Sequence, residues 1–140
     1  MLEYRINPRI SPRSIAALRR SVGWGGMEAE LGNPALRDYL QIACYDGERL
    51  IGFLDVVSNG VTDAYIQDVM VHPEYQGKGI GTELMNRAIQ RLKAGRIYMI
   101  SVIYGEEGLR PFYEKFGFST MLCGQMEARP EYQEREETKP

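Results

Sequence analysis

Residues 69–82 read Val-Met-Val-His-Pro-Glu-Tyr-Gln-Gly-Lys-Gly-Ile-Gly-Thr, and they join the end of an apolar strand to a glycine-rich turn and the start of an amphipathic helix. Gly77, Gly79 and Gly81 carry no Cβ, so the backbone can turn tightly and bring several N–H groups against a ligand. The helix that follows adds its positive N-terminal end. Polar side chains surround the turn: Gln76, Lys78 and Thr82. The stretch therefore predicts a site for a di- or polyphosphate.

Two common phosphate-binding loops do not fit this spacing of glycines. A Walker A loop requires Gly-Lys followed by Ser or Thr, whereas Lys78 is followed by Gly79. A Rossmann fingerprint reads Gly-x-Gly-x-x-Gly and lies near the first strand of a βαβ unit. Here the glycines read Gly-x-Gly-x-Gly and lie in mid-chain. The spacing therefore excludes both of these nucleotide-binding loops.

The pattern Gln-x-x-Gly-x-Gly, formed by Gln76, Gly79 and Gly81, resembles the acyl-CoA loop of the GCN5-related N-acetyltransferase (GNAT) family. In that family the loop binds the pyrophosphate of CoA without a metal. The resemblance therefore implies acetyl-CoA as the cosubstrate. On this basis the expected cofactor-binding residues of the loop are Gln76, Gly77, Lys78, Gly79, Ile80, Gly81 and Thr82.

A second motif further along the chain strengthens this resemblance. Residues 112–118 read Phe-Tyr-Glu-Lys-Phe-Gly-Phe, which looks like the short helix and turn that the family places beside the CoA thiol. Gly117 fits a helix end that requires a left-handed backbone, and Pro111 fits a first helical turn. The similarity covers roughly residues 40–127, and within it Phe112 and Tyr113 are expected to contact the cofactor.

Hydrophobic periodicity predicts an α/β (α+β) protein in which helices flank one mixed sheet. Strands are expected over residues 2–6, 40–46, 49–58, 62–72, 97–103 and 118–127, with a hairpin turn at Asp46-Gly47. Helices are expected after Ser11-Pro12, at Asn33-Pro34, from the phosphate loop to Gly95, and over 109–116. In the helix after the phosphate loop, an apolar residue recurs every four positions and predicts one buried face: Ile80, Leu84, Ala88 and Leu92. The resemblance implies a central, mostly antiparallel sheet flanked by helices. We expect one N-acetyltransferase domain over residues 1–128 and a polar, flexible tail over residues 129–140.

Composition and charge exclude several classes of partner. The formal net charge of −2 gives no electrostatic basis for binding nucleic acid. No apolar run approaches the roughly 20 residues of a membrane span, and the N-terminus lacks the apolar core of a signal peptide. Cys44 and Cys123 lack metal-binding spacing, and His72 is the only histidine. The sequence therefore predicts a cytoplasmic protein with free thiols, no metal, and no membrane or nucleic-acid partner.

The family chemistry is attack of a neutral amine on the thioester of acetyl-CoA. The resemblance implies that the strand before the phosphate loop pairs with the pantetheine arm like an added strand, which places Val69, Met70 and Val71 along the cofactor. A backbone N–H near Val69 would polarise the thioester carbonyl. The same residues are also expected to pack in the core, because only their main-chain atoms are needed.

The CoA thiolate leaves more easily when it is protonated, and Tyr113 is the candidate acid. It lies at the tyrosine position of the family motif, and a phenol with a pKa near 10 can donate a proton at neutral pH. Tyr104, at the end of the preceding strand, is a weaker alternative that could face the same space. A purely structural role in the core remains open for Tyr113.

The acceptor amine must lose a proton before it reacts. The sequence does not single out one residue as the base for this step. Asp68 could attract a cationic amine and accept its proton, or it could be a paired surface carboxylate. Strict strand alternation places Tyr65 and Gln67 on the other side, where they could order a water. Some family members use a glutamate as the base near this position, where this sequence has Tyr65, so the resemblance does not assign a base. Trp24, in a glycine-rich loop, is expected to cover the acceptor, with Tyr104 beside it.

Three functions therefore stay open. The first is acetylation of a small primary amine by direct attack in a ternary complex. The second is acetylation of a protein N-terminus or lysine, which requires an open groove. The third is a non-catalytic CoA-binding module with a regulatory role. The implied partners are acetyl-CoA and an amine acceptor, and a homodimer is left open.

Overall fold

The computed structural model describes residues 1–129, in which helices flank one sheet. The strands are β1 (Leu2–Ile6), β2 (Leu40–Asp46), β3 (Arg49–Ser58), β4 (Asp63–Val71) and β5 (Met99–Val102). The α-helices are α1 (Pro12–Ser21), α2 (Glu28–Leu31), α3 (Ile80–Ala94) and α4 (Arg110–Glu114). Short 3₁₀ turns cover Pro34–Arg37, Pro73–Tyr75 and Glu107–Leu109. Of the predicted tail, residues 130–140 lie outside the described residues.

The strands are arranged side by side in chain order, from β1 to β5. The first four are antiparallel, and β5 is parallel to β4. Gly47, with φ of 63°, makes the tight turn between β2 and β3. Helix α3 connects β4 to β5, and a helical crossover brings two neighbouring strands into parallel alignment. This mixed, mostly antiparallel sheet confirms the predicted fold class.

Each face of the sheet carries its own hydrophobic core. On one face α3 buries the apolar stripe that the sequence predicted, formed by Ile80, Leu84, Ala88 and Leu92. On the other face α1 packs Ile15 and Leu18 against Phe53 of β3. The phosphate loop therefore lies on the α3 side of the sheet, because it leads directly into that helix. The glycine-rich segment after α1 belongs to the opposite side.

The prediction of a last strand over residues 118–127 is wrong, since this segment forms no regular structure. A strand requires a partner for its backbone N–H and C=O groups. The neighbouring β5 is only four residues long, shorter than predicted, and pairs with β4 alone among the described strands. Met121 and Leu122 are accordingly 83% and 104% exposed. The helix predicted at Asn33-Pro34 is a single 3₁₀ turn, which the Asn33 side chain caps at 3.0 Å.

Residues 1–129 contain no helix that is long and apolar enough to cross a membrane. The longest helix, α3, has 15 residues and carries several charged side chains. In the same part of the chain no three His, Cys, Asp or Glu side chains come together as candidate metal ligands.

Candidate active site

A cleft opens where β4 and β5 separate. Their parallel pairing ends at Ile66↔Val102, although β4 continues to Val71. Over residues 67–71, β4 therefore has no described strand beside it on the β5 side. Its last residues, Val69, Met70 and Val71, line a cleft of about 330 Å³. An extended ligand could pair with such a free strand edge.

A β-bulge interrupts β4 beside this cleft. Pairing with β3 shifts between Gln67↔Asp55 and Met70↔Phe53, so two residues of β4 stand opposite one residue of β3. Asp68, the first of the two, has φ of 54°, in the left-handed region that non-glycine residues seldom adopt. The strict side-chain alternation that the sequence predicted along this strand therefore fails at Asp68.

The phosphate loop follows β4 and is held to it. Gly77 and Gly79 have φ of 78° and 81°, values that glycine adopts without steric cost. The Gln76 Nε2 donates to the carbonyl of Val71 at 2.9 Å, so this side chain ties the loop to the strand. The N–H groups of the first turn of α3 have no acceptor within the helix. They are available to an anion in front of the helix.

Most of the residues predicted to bind the cofactor line the same cleft. They are Val69, Met70, Val71, Gln76, Gly77, Ile80, Gly81, Phe112 and Tyr113. Tyr75 and Leu109 also line it and were not predicted. Tyr75 belongs to the 3₁₀ turn ahead of the loop, and an aromatic residue directly before Gln76 was the available signal.

Lys78, Gly79 and Thr82 belong to the loop but are not among the residues that line the cleft. The Lys78 ammonium lies 5.3 Å from the centre of the Tyr75 ring. The Thr82 hydroxyl accepts a hydrogen bond from the Lys115 ammonium at 2.8 Å. Both ammonium groups therefore lie beside the loop. Their positive charges favour the binding of a phosphate there.

Helix α4 packs against the start of α3 at Gly81. A Cβ on Gly81 would lie 3.4 Å from Cζ of Phe112, at the near limit of ordinary van der Waals contact. Pro111 occupies the first turn of α4, and Gly117 has φ of 102° after its end, both as predicted. This packing places Phe112 and Tyr113 at the wall of the cleft.

Tyr113 is 7% exposed and lines the cleft. Burial raises the pKa of its phenol, and the nearby Tyr104 and Tyr65 raise this pKa further. Within residues 1–129 the Tyr113 hydroxyl has no hydrogen-bond partner. The group is therefore protonated at neutral pH and is not used in internal hydrogen bonding, which are two properties that a general acid requires.

Tyr104 stacks on Tyr113, with ring centres 4.8 Å apart and planes 9° from parallel. Its hydroxyl is hydrogen-bonded to Thr120, and the Thr120 hydroxyl donates to the Glu114 carboxylate at 3.1 Å. Because Thr120 uses its proton for Glu114, Tyr104 is the donor of the first bond. The Tyr104 hydroxyl is therefore engaged in a hydrogen-bond chain, unlike that of Tyr113.

Asp68 pairs with Arg19 of α1, at 3.1 Å between Oδ2 and Nη1. Burial raises the pKa of Asp68, and the guanidinium partly offsets this rise. The carboxylate keeps 37% of its side chain exposed. Trp24, predicted to cover the acceptor, is 40% exposed, and its ring centre lies 5.5 Å from Cζ of Arg19. The structure therefore brings Asp68 and Trp24 together through Arg19.

A second carboxyl group lies behind Asp68 in the sheet. Asp55 of β3 is 7% exposed and accepts a hydrogen bond from Gln67 Nε2 at 3.0 Å. Burial raises the pKa of Asp55, Gln67 lowers it, and the charge of Asp68 raises it again. Tyr65 is half-buried on β4, and its pKa is raised by burial and by Asp68. Asp55 and Asp68 are thus close enough for their charges to interact, and among the described carboxylates Arg19 pairs with Asp68 alone.

One known protein family matches most of this chain. The sequence model of the Acetyltransferase (GNAT) family matches residues 7–118 of this chain. The chain belongs to the GNAT family. The match includes the β4 edge, the phosphate loop and α4, so the family assignment rests on the same residues that form the cleft.

Two relatives of this chain are named as N-acetyltransferases. An uncharacterised ycf52-like N-acetyltransferase of Prochlorococcus marinus is 34% identical over 107 residues, which are 73% of this chain and 59% of that protein. The uncharacterised N-acetyltransferase ycf52 of Pyropia yezoensis is 30% identical over 117 residues, 80% of this chain and 67% of that protein. This GNAT chain thus spans about three fifths of the Prochlorococcus relative.

Solved GNAT structures share the fold over nearly the whole chain. A probable acetyltransferase of meticillin-resistant Staphylococcus aureus superposes with a TM-score of 0.76 at 26% identity, covering 92% of this chain and 99% of that one. A GNAT family protein of Streptococcus pneumoniae gives a TM-score of 0.77 at 24% identity, covering 92% and 100%. The second similarity is a similarity of fold alone.

Four residues in or beside this cleft escaped prediction: Arg19, Asp55, Tyr75 and Leu109. Arg19 is one of two consecutive arginines at the end of α1, where basic residues commonly complement the helix dipole, so the sequence offered no separate signal. Asp55 stands alone within an apolar strand, and a buried charge in such a strand was the available signal.

Proposed function

We propose that this chain transfers the acetyl group of acetyl-CoA to a primary amine of a small molecule, by direct attack in a ternary complex. The observation that carries the proposal is the Tyr113 hydroxyl, which has no hydrogen-bond partner within residues 1–129, in a cleft bordered by the end of β4, whose β5-facing edge has no described strand beside it. Acetyl-CoA supplies the activated acetyl thioester. The chain supplies a binding surface, an acid and a site for the amine.

The residues of the cleft fit CoA without a metal. The N–H groups at the start of α3 and the ammonium of Lys78 supply positive charge for the pyrophosphate. On the β5 side, Val69, Met70 and Val71 have no described strand beside them, so this edge can pair with the pantetheine arm, with the Val71 carbonyl shared with Gln76. An N–H group near Val69, in the bulge, is a candidate donor to the thioester carbonyl. Phe112 and Tyr113 form the apolar wall beside the thiol.

The acceptor is proposed to be a positively charged amine that reacts in its neutral form. The partly exposed Asp68 carboxylate, with Asp55 near it, would attract a cation when it is ionised. The exposed Trp24 indole offers an aromatic face to the same cation. Asp68 is the candidate proton acceptor, directly or through a water ordered by Tyr65. Its pKa, raised by burial, makes it a better base than an exposed aspartate.

An amine panel tests this function. The purified protein is mixed with acetyl-CoA and single amines, and free thiol and acetylated product are measured by absorbance and mass spectrometry. We expect turnover with one class of small cationic amine, and kcat/KM that rises with pH as the amine or its base loses its proton. Binding of CoA without turnover on any amine or peptide would instead identify a non-catalytic module.

Replacing Asp68 by asparagine is expected to raise KM for cationic amines about tenfold while acetyl-CoA affinity stays unchanged. The asparagine amide preserves size and a contact with Arg19, so the variant loses the negative charge and the proposed proton acceptor, and kcat should fall as KM rises. Steady-state kinetics at several pH values and calorimetry with CoA provide the measurement. Asp63→Asn, at the exposed start of the same strand, is the matched control. An unchanged KM in Asp68→Asn would move the acceptor elsewhere.

A protein substrate is the second candidate. A groove of about 530 Å³ lies between β5 and residues 117–123, and the exposed Met121 and Leu122 lie on it. A relative of Glycine max named histone acetyltransferase TAP1 is 35% identical over 71 residues, 51% of this chain and 30% of that protein. Turnover on peptides, with none on small amines, would favour this alternative. The cytoplasmic location and the homodimer stay predictions from the sequence.

A further inference from the structure

Arg19, near the end of α1, makes four contacts that join two parts of the acceptor side. Its Nε donates to the carbonyl of Gly25 at 2.6 Å, and its Nη2 donates to Sδ of Met27 at 3.3 Å. Its Nη1 donates to Oδ2 of Asp68 at 3.1 Å, and its Cζ lies 5.5 Å from the centre of the Trp24 ring. One guanidinium therefore contacts both the glycine-rich loop and the bulge of β4.

Neither of these two parts holds its conformation by local forces alone. The loop over residues 23–27 contains three glycines, and Met27 at its end has φ of 56°. Asp68 in the bulge has φ of 54°. Residues other than glycine keep such a backbone only where the surrounding structure enforces it. The Arg19 side chain is 12% exposed, so solvent competes little for its contacts.

We propose that Arg19 is a positioning residue of the acceptor site, which holds the Trp24 ring and the Asp68 carboxylate at one separation. This inference rests on the proposed transfer to an amine. The exposed parts of Trp24 and Asp68 then offer an aromatic face and a charge to the same cation. An acceptor must match the separation that Arg19 sets, so Arg19 determines acceptor affinity and leaves acetyl-CoA binding to the other side of the sheet.

Arginine is suited to this role in a way that lysine is not. The planar guanidinium presents donors in a fixed fork, so it reaches Gly25, Met27 and Asp68 together. A lysine has one ammonium on a flexible stem and could keep the pair with Asp68 but not the contacts with the loop.

Arg20, the next residue, pairs with Glu28 at 2.6 Å and keeps α2 attached to α1. Removing Arg19 should therefore shift the loop without unfolding it.

Trp24 is the only tryptophan, so the intrinsic fluorescence of the protein reports on the environment of its indole beside Arg19. This measurement requires no ligand. In Arg19→Gln we expect emission at longer wavelength and stronger quenching by acrylamide, because the indole loses its guanidinium partner. Arg19→Lys should give the same change, and Asp68→Asn a smaller one. Arg13→Gln, an exposed arginine of the same helix, should leave the emission unchanged. Far-UV circular dichroism and thermal melting check that each variant is folded.

Kinetics separate positioning from a role in stability. Arg19→Gln and Arg19→Lys should both raise KM for the amine about tenfold, with acetyl-CoA affinity unchanged. When either substitution is combined with Asp68→Asn, the increase in KM should be smaller than the two single effects together predict, because both substitutions disrupt the same Arg19–Asp68 contact. Full rescue by lysine, or unchanged Trp24 emission in folded Arg19→Gln, would overturn the proposal. Because the fluorescence requires no turnover, it distinguishes this failure from a failure of the proposed function.

Discussion

Replacing Gly79 by aspartate is expected to abolish measurable binding of acetyl-CoA. Gly79 immediately precedes α3 and has φ of 81°. A Cβ there meets no other atom within 4 Å, so an aspartate has room and brings a negative charge next to the N–H groups that would receive the pyrophosphate. Two like charges about 4 Å apart near a protein surface repel by several kcal/mol before screening, so an affinity loss of about 100-fold or more follows. Isothermal titration calorimetry with acetyl-CoA, in buffer with and without magnesium, measures it.

Gly79→Ala is the matched control, because it carries the same backbone cost without the charge. A left-handed conformation costs a non-glycine residue about 1–2 kcal/mol. The alanine variant should therefore bind acetyl-CoA several-fold more weakly than the wild type, a smaller loss than that of Gly79→Asp. Gly124→Asp places the same charge on an exposed segment and should bind normally. If Gly79→Asp bound acetyl-CoA as the wild type does, or if binding required magnesium, the loop would not be the pyrophosphate site.

Replacing Tyr113 by phenylalanine is expected to lower kcat by about 100-fold, the lower end of general acid catalysis. The ring remains, so the stacking on Tyr104 and the wall of the cleft are preserved. Acetyl-CoA affinity should therefore change little. Burial raises the pKa of the Tyr113 phenol above its ordinary value near 10, so the proton stays in place over the working pH range. The ratio of wild-type to variant kcat should accordingly stay constant between about pH 6 and about pH 9.

Tyr104→Phe is the control for this experiment, because it removes a hydroxyl from the same pair of stacked rings. That hydroxyl is bonded to Thr120, so its loss should affect local stability more than turnover. Steady-state kinetics with the best amine of the panel, under saturating acetyl-CoA, give both kcat values. Equal kcat values for Tyr113→Phe and wild type would mean that water protonates the thiolate and that Tyr113 has a packing role. A larger loss in Tyr104→Phe would transfer the acid role to that residue.

The two sides of the sheet have separate tasks in this interpretation. The α3 side carries the loop, the cleft and Tyr113, whereas the α1 side carries Arg19, Trp24 and Asp55. Asp68, at the bulge, connects the two sides because it interrupts the regular strand. Variants on the α3 side should therefore change acetyl-CoA binding or kcat, and variants on the α1 side should change KM for the amine.

Local sequence determined the elements that depend on neighbours within a few residues. The Ser11-Pro12 start of α1, the turn at Gly47, the glycines of the phosphate loop and the apolar stripe of α3 were all predicted from such signals. Capping, turn and periodicity rules act within about four residues along the chain, which is why these predictions held. The family resemblance added the cleft residues, because it rests on two of the same local motifs.

Tertiary structure alone decided the features that depend on residues far apart in the chain. Arg19 and Asp68 lie 49 positions apart, and neither residue type indicates the other as its partner. The bulge arises from the register between β3 and β4, which no local pattern encodes. Residues 118–127 have the composition of a strand but no partner strand among the described residues. Strand pairing, register and ion pairs form only when distant segments meet, so the link that Arg19 makes between Asp68 and Trp24 became visible only in the folded chain.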